Sequence, residues 1–446
     1  MRVADDRHDG IRVDAARLRI VAVADSDSYV KWAAALLGAA ADAEVALVLV
    51  TTPLTVSIAQ ERAALAGSGL DPSRVHRVAY GELEGWLADF APDAVVIGGR
   101  GPLVRILAKV VAGLASVPVI VTGLPGIAIP ARRAAVLYRA QCDLFILHSQ
   151  REIDAFGELS ERVDVPQRFA LTRLPFAEDG VGTATTAGSD LVFAAQAIVP
   201  REKDERLVVA RLLIDAAESD PRRRVVVKLR SAGGERETHQ ERYGYPELIE
   251  QLGGAPDNLV VSYGPMARAL DTAEGLVTVS STSAIEAIAR GIPVIALDVF
   301  GVGDELLNPV FEGSGLFAGA EDVIARWFRH PDPVWLRENY FHEEVFDDWM
   351  PVLAELVDQR RRGELPPKPP RRATGGALRE AWDRKRVLGA EDRSVAGTLA
   401  LVIGVPLRQA VIWSRRLRRT ERERAAVPAA GARDQQPGPV GSSTQV

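Results

Sequence analysis

Leu276-Val-Thr-Val-Ser-Ser-Thr-Ser-Ala-Ile-Glu-Ala-Ile-Ala-Arg-Gly-Ile-Pro-Val-Ile-Ala-Leu297 reads as strand, helix, strand. Leu276–Val279 and Val294–Leu297 are short β-branched runs, and the Ala/Ile-rich stretch Ser283–Arg290 between them ends at Gly291. Two apolar strands joined by a helical crossover lie parallel, in a sheet covered on both faces. Four hydroxyl residues, Ser280, Ser281, Thr282 and Ser283, stand where the first strand stops and the helix opens. Free backbone N–H groups and the positive end of the helix dipole suit a phosphate there, with the hydroxyls as further donors. The same residues also serve as ordinary caps, with Glu286 three residues after Ser283 completing a capping box. The two roles can coexist.

The same alternation runs outward in both directions. Upstream, Arg19–Ala24, Val45–Val50, Ala94–Ile97, Val117–Val121 and Leu144–Leu147 read as strands, with helices over Tyr29–Ala40, Ser57–Ala66 and Leu103–Leu114. A Gly/Thr/Ala stretch at 180–189 reads as a linker, after which the pattern restarts. Second-half strands are Leu191–Ala194, Arg224–Lys228, Leu259–Ser262, Leu276–Val279 and Val294–Leu297. The fold class is α/β, two Rossmann-like doubly wound domains (18–179 and 190–345) facing a cleft, where open sheets of this kind bind ligands. A helix from Trp335 to about Leu356 is expected to pack back across the domains. Residues 346–424 form helices and a basic arm. The termini, 1–17 and 425–446, read as flexible and disordered segments.

Composition removes several classes. A chain of 446 residues with 26% charged residues is an ordinary globular protein. The single cysteine, Cys142, excludes an internal disulfide and any cysteine-cluster metal site, and the six histidines show no metal-ligand spacing. The acidic start, Met1 to Gly10, does not read as a signal peptide. Charge is uneven: 360–424 holds 18 Lys/Arg and 7 Asp/Glu, a local net of +11, against −17 for residues 1–359. An acidic body argues against nucleic acid as a partner. The arm, with the interrupted apolar stretch Val395–Trp413, suggests an anionic membrane surface or a helix packed on the body.

Other strand ends carry candidate groups. Lys228, Arg230 and Arg236 follow a second-half strand and suit a diphosphate. Asp25 and Asp27 follow the first strand and are candidates for a general base on an acceptor hydroxyl, or caps of the helix that Ser28 opens. Their Asp-x-Asp spacing is read as non-metal. Lys31, Gly99, Arg100, Gly123 and Gly126 outline an acceptor pocket, since glycine at a strand exit lets a ligand approach the backbone. His148 ends another strand and is either a base or a satisfied structural histidine.

Ser280–Ala287 with Gly291-Ile-Pro-Val-Ile295 resembles the donor-nucleotide segment of GT-B glycosyltransferases. It is most similar to the serine motif of bacterial sialyl- and polysialyltransferase-like and capsule-synthesis enzymes. Asp25–Trp32, Gly123–Gly126, Phe193-Ala-Ala-Gln196 and Lys228-Leu-Arg230 extend a likeness to an actinobacterial family assigned as glycosyltransferases, over roughly residues 18–345. Where the sialyltransferase-like families carry His-Pro, this chain has Leu229-Arg230. The resemblance implies a nucleotide-sugar donor held by the C-terminal domain through Gln196 and Ser280–Thr282, and a cell-envelope glycan or lipid-linked acceptor held by the N-terminal one. Lys228, Arg230 and the helix N-terminus can serve as the counter-charge, so transfer is expected to be metal-independent and without a cofactor, in the cytoplasm or, through the arm, at the inner face of the plasma membrane. A nucleotide-sugar 2-epimerase and a non-catalytic nucleotide-binding protein are the alternatives.

Overall fold

The computed structural model describes residues 17–54, 56–175, 177, 181–182, 188–229, 242–369, 376–402 and 404. Two all-parallel sheets form the body. The first contains β1 (Arg19–Ala24), β2 (Glu44–Val50), β3 (Val75–Val78), β4 (Ala94–Gly98), β5 (Val119–Gly123), β6 (Leu144–Leu147) and β7 (Arg168–Leu171), in the order 3-2-1-4-5-6-7. The second contains β8 (Asp190–Ala194), β9 (Val225–Lys228), β10 (Leu259–Ser262), β11 (Ala273–Thr278), β12 (Val294–Leu297) and β13 (Phe317–Ala318), in the order 10-9-8-11-12-13. Each order reverses once, between β1 and β4 and between β8 and β11. At such a reversal the connecting helices leave to opposite faces and open a crevice at the strand C-termini.

Both faces of each sheet are buried, which is why the central strands are unbroken apolar runs. In β1, Ile20, Ala22 and Ala24 enter one core while Val21 and Val23 enter another. In β8, Leu191 and Phe193 face one side and Val192 and Ala194 the other. Strands β1, β6, β10 and β12 occupy the expected residues. The run expected at Val117 begins at Val119 instead, since Pro118 has no N–H for the ladder. The edge strands β3, Val-His-Arg-Val, and β7, Arg-Phe-Ala-Leu, carry polar side chains that hide them from an apolar-run reading.

The expected helix from Trp335 to Leu356 is two helices, Pro333–Glu338 and Trp349–Arg361. The second returns to the first sheet, where Trp349, Leu353, Leu356 and Val357 join the core beneath β5 and β7. Asp348 accepts from the Leu171 backbone N–H at 2.7 Å, Arg360 pairs with buried Asp143 at 2.8 Å and Arg361 with Asp93 at 2.7 Å. Lys368 donates to the Cys142 carbonyl at 2.7 Å. The first basic residues of the arm are therefore bonded to the body. Burial pushes the Cys142 thiol up to about 12, so it stays protonated and inert.

The chain divides into two compact units, Met1–Arg372 with Val387–Asp392, which holds both sheets, and Ala373–Arg386 with Arg393–Val446. In the second, Trp382 and Ala381 pack with Ala400 and Leu401. Among the described residues no helix is long and apolar enough to cross a membrane. The expected flexible start, most of the linker and the tail fall on residues outside those described.

Candidate functional site

The C-terminal end of the second sheet presents two groups side by side. Gln196 follows β8, and its Oε1 accepts from the Ser280 backbone N–H at 2.9 Å, across the crevice between β8 and β11. Arg206, 1% exposed, fixes that loop by donating to the carbonyls of Gln196 at 2.6 Å, Ala197 at 2.9 Å and Pro200 at 2.8 Å. The four hydroxyls after β11 divide by direction. Ser280 donates to the Leu307 carbonyl. Ser281 turns inward, donating to the Ser283 hydroxyl at 3.1 Å and accepting from the Ser283 N–H at 3.2 Å. The Thr282 hydroxyl has no hydrogen-bond partner among the described residues, and it lies against Gly126, where an added Cβ would stand 2.8 Å from it. The expected capping box is absent: Glu286 pairs instead with Arg290, one turn on, at 3.2 Å.

Lys228 lies at the end of β9, 5% exposed, with its ammonium donating to the Leu229 carbonyl. One of its three N–H groups is thereby held by the loop. Arg230 and Arg236 lie outside the described residues.

In the first sheet, the two aspartates separate. Asp25 is 2% exposed, and its Oδ2 accepts from the Thr52 hydroxyl at 3.2 Å while Oδ1 meets no donor at hydrogen-bonding geometry. Burial raises its pKa, against the lowering pull of Arg100 and of the Thr52 and Ser26 hydroxyls. Asp27 and Lys31 sit on the exposed face of the helix Asp27–Ala39, with Ser28 half-buried beside them. The glycines have a different reason from the expected one. A Cβ on Gly123 would lie 2.1 Å from the Trp32 ring, and one on Gly99 would lie 3.0 Å from Leu103. Core side chains fill those spaces, so neither glycine opens a route for a ligand. Arg139, 2% exposed, ties the strand exits together through the carbonyls of Gly99 at 3.2 Å and Gly123 at 3.4 Å. Nothing in its sequence context marks it.

His148 is fully buried, with Nδ1 2.8 Å from the Thr172 carbonyl and Nε2 accepting from the Trp32 indole at 3.1 Å. Nε2 also lies 2.8 Å from the Leu124 carbonyl. Burial lowers its pKa and holds the ring neutral. With both nitrogens occupied it is a scaffold residue, which corrects its candidacy as a base. Next to it lies a junction that sequence reading missed. Glu152, fully buried, accepts from the Ala128 N–H at 2.7 Å, the His148 N–H at 3.0 Å and the Tyr340 hydroxyl at 2.7 Å. Tyr340 belongs to the second sheet's core, so one carboxylate joins both halves. Burial raises the Glu152 pKa despite three donors.

Above this junction lies a cleft of about 300 Å³. The loop from Leu124 to Pro130, with Arg132, Ala135 and Phe156, walls it on the first-sheet side; Gln196, Ser280, Thr282 and Leu307 wall it on the other. The structure thus brings Gly126, Gln196, Ser280 and Thr282 together, and adds Arg132. Asp25, Arg100 and Lys228 are not in its lining, and no group of His, Cys, Asp or Glu that could hold a metal ion occurs among the described residues.

No curated protein matches the chain. Similar solved structures include a "putative UDP-N-acetylglucosamine 2-epimerase" from Listeria monocytogenes, 12% identical with a TM-score of 0.52, covering 79% of this chain and 99% of that one. Its likeness shows the fold, two Rossmann-like domains of the GT-B kind. The pneumococcal O-GlcNAc transferase GtfA, solved with UDP and GlcNAc, is 11% identical with a TM-score of 0.48, over 78% of this chain and 96% of that one. The sequence model of the family described as "Putative glycosyltransferase (DUF6716)" matches residues 20–356.

Proposed function

The chain belongs to the DUF6716 family, and on that premise we propose that it moves a sugar from a nucleotide-linked donor to an acceptor held in the cleft between its two sheets. The observation that carries this reading is the cleft itself, at the C-terminal ends of two Rossmann-ordered sheets, lined by Gln196, Ser280 and Thr282. Gln196 spends its Oε1 on Ser280, which turns its amide N–H groups toward other acceptors. With the unpartnered Thr282 hydroxyl they supply neutral donors for a donor phosphate. We take the transfer to need neither metal nor cofactor, with Arg230 and Arg236 as further counter-charge. Positioning and stabilisation of the leaving nucleotide carry such a reaction. A hydroxyl acceptor would also need a base, and Asp25, buried and outside the cleft lining, does not reach one there.

The test is calorimetry of the full chain with CMP, CDP, UDP, GDP and dTDP, followed by turnover of the corresponding sugar nucleotides. Gln196→Ala and Thr282→Ala should each weaken the bound nucleotide by roughly ten- to a hundredfold, the worth of a hydrogen bond to a charged group. Unchanged affinity in both would remove the donor site from this cleft. A sugar nucleotide converted with no acceptor present would make the protein an epimerase. EDTA should leave turnover unchanged.

We also propose peripheral attachment to an anionic membrane through the later part of the arm. In the helix from 395 to 402, Val395, Leu399 and Val402 are 75%, 55% and 67% exposed and fall on one face. Residues 405–424, outside the described part, add 7 Lys/Arg against 2 Asp/Glu. Full-length protein should sediment with anionic liposomes at low salt, and a chain ending at Pro369 should not.

A further inference from the structure

We propose that the acceptor is a lipid monophosphate, an apolar chain ending in a phosphate, rather than a saccharide. This rests on the transferase reading and names the substrate of the same cleft. Leu124-Pro-Gly-Ile-Ala-Ile-Pro-Ala131 contains no polar side chain, and five of these eight residues line the cleft. One backbone donor that would compensate is already engaged: the Ala128 N–H donates to Glu152. A saccharide terminus brings several hydroxyls, and each one desolvated against such a wall without a partner costs roughly tenfold in binding. An apolar chain meets the same wall with no such loss.

The charge sits at the edge of this wall. Arg132 is exposed and lines the cleft directly after the apolar loop, and its Nη2 donates to the Asp304 carbonyl at 2.6 Å. Its remaining N–H groups have no partner among the described residues, and a guanidinium offers a fork matched to phosphate oxygens. Facing it, Gln196 and Thr282 supply the donors assigned to the nucleotide. At about 30 Å³ per water the cleft holds on the order of ten waters' volume, enough for a phosphate and the first carbons of a chain. The rest of the chain must leave along the loop.

The step balances without an added base. A phosphate oxygen of the lipid, already anionic, attacks the anomeric carbon of the donor sugar. The new bond joins that carbon to the lipid phosphate. The bond from the carbon to the nucleotide's phosphate oxygen breaks, and its electron pair leaves with the nucleotide. No proton moves, so Asp25 has no part in the chemistry.

The experiment uses the full chain and farnesyl phosphate below its micellar concentration. Calorimetry should show farnesyl phosphate binding at least tenfold tighter than farnesol, than inorganic phosphate and than maltotriose. Ile127→Asn, a change at a partly buried loop residue packed at the margin of the second core, should cost about tenfold against farnesyl phosphate and leave nucleotide affinity unaltered. Arg132→Ala should bring farnesyl phosphate and farnesol to within about threefold of each other. With a donor that the nucleotide panel selects, mass spectrometry should find the glycosyl farnesyl phosphate, and Asp25→Asn should retain its formation to within about threefold. Tighter binding of maltotriose, indifference to Ile127→Asn, or a hundredfold loss in Asp25→Asn would overturn the proposal. Nucleotide binding without farnesyl phosphate binding sinks this inference alone, whereas failure of every nucleotide sinks the transferase reading beneath it.

Discussion

Glu152 and Tyr340 offer the sharpest test of how the two halves are joined. Tyr340→Phe keeps the ring in the second core and removes one O–H, which donates at 2.7 Å to a fully buried carboxylate. A hydrogen bond to a charged group contributes about 1.5–3 kcal/mol, so the expected loss is about 2 kcal/mol. Glu152→Gln can keep one oxygen facing Ala128 and Tyr340, but it sets an amide N–H₂ against the His148 N–H. That costs a similar amount. The double variant should be less destabilised than the sum, because the lost contact is shared, with a coupling energy of about 1–2 kcal/mol. Urea unfolding of the full chain, followed by tryptophan fluorescence, reads all four corners of the cycle. The pH trend has a definite sign. Glu152's folded pKa is raised, so its wild-type contribution is fully present below the unfolded value and is lost as pH rises through the folded one. Tyr340 is pushed well above its ordinary value and stays neutral across this range. The stability gap between wild type and Glu152→Gln should therefore narrow as pH rises from about 4.5. Losses that add to within about 0.5 kcal/mol would refute the junction.

Gly123→Ala drives a methyl to 2.1 Å from the Trp32 ring and should cost about 1–3 kcal/mol in thermal unfolding; no loss would mean the space is open after all. A chain ending at Leu356 strips buried Asp143 of Arg360 and should be less stable by about 3–5 kcal/mol than one ending at Pro369. Equal stability would show that the pair holds nothing together. Asp25→Asn should gain on wild type as pH rises from about 4, because burial raises the folded pKa of Asp25 and its stability contribution is lost as pH rises through that folded value. A parallel pH profile by chemical unfolding would contradict that burial effect.

Much of the fold is legible in the residues because a strand buried on two faces must be apolar throughout. β1 and β8 could hardly be written otherwise. Edge strands have one free side and short pairing, so Val75–Val78 and Arg168–Leu171 carry ordinary surface residues and escape notice. The break between Pro333–Glu338 and Trp349–Arg361 was equally hidden. Asp347 and Asp348 accept from Arg173 and Leu171 there, partners more than 170 residues away.

For the site, strand ends and hydroxyls were readable, because a parallel sheet can offer its C-terminal loops to a ligand from local pattern alone. Direction was not. Ser280, Ser281 and Thr282 are equivalent as letters, yet one bonds to Leu307, one folds back on Ser283 and one faces Gly126 across the cleft. Asp25 and Asp27 differ only in whether the strand or the helix holds them, and that alone buries one and exposes the other. His148 and Gly123 read as ligand groups until Trp32 takes their contacts. Periodicity and composition act over a few residues, so the sequence by itself determined the elements and which ends matter. Glu152 with Tyr340, and Arg132 with Asp304, lie 188 and 172 residues apart. Such pairs meet only when two independently patterned sheets pack against each other, and that packing decided which side chains face the cleft.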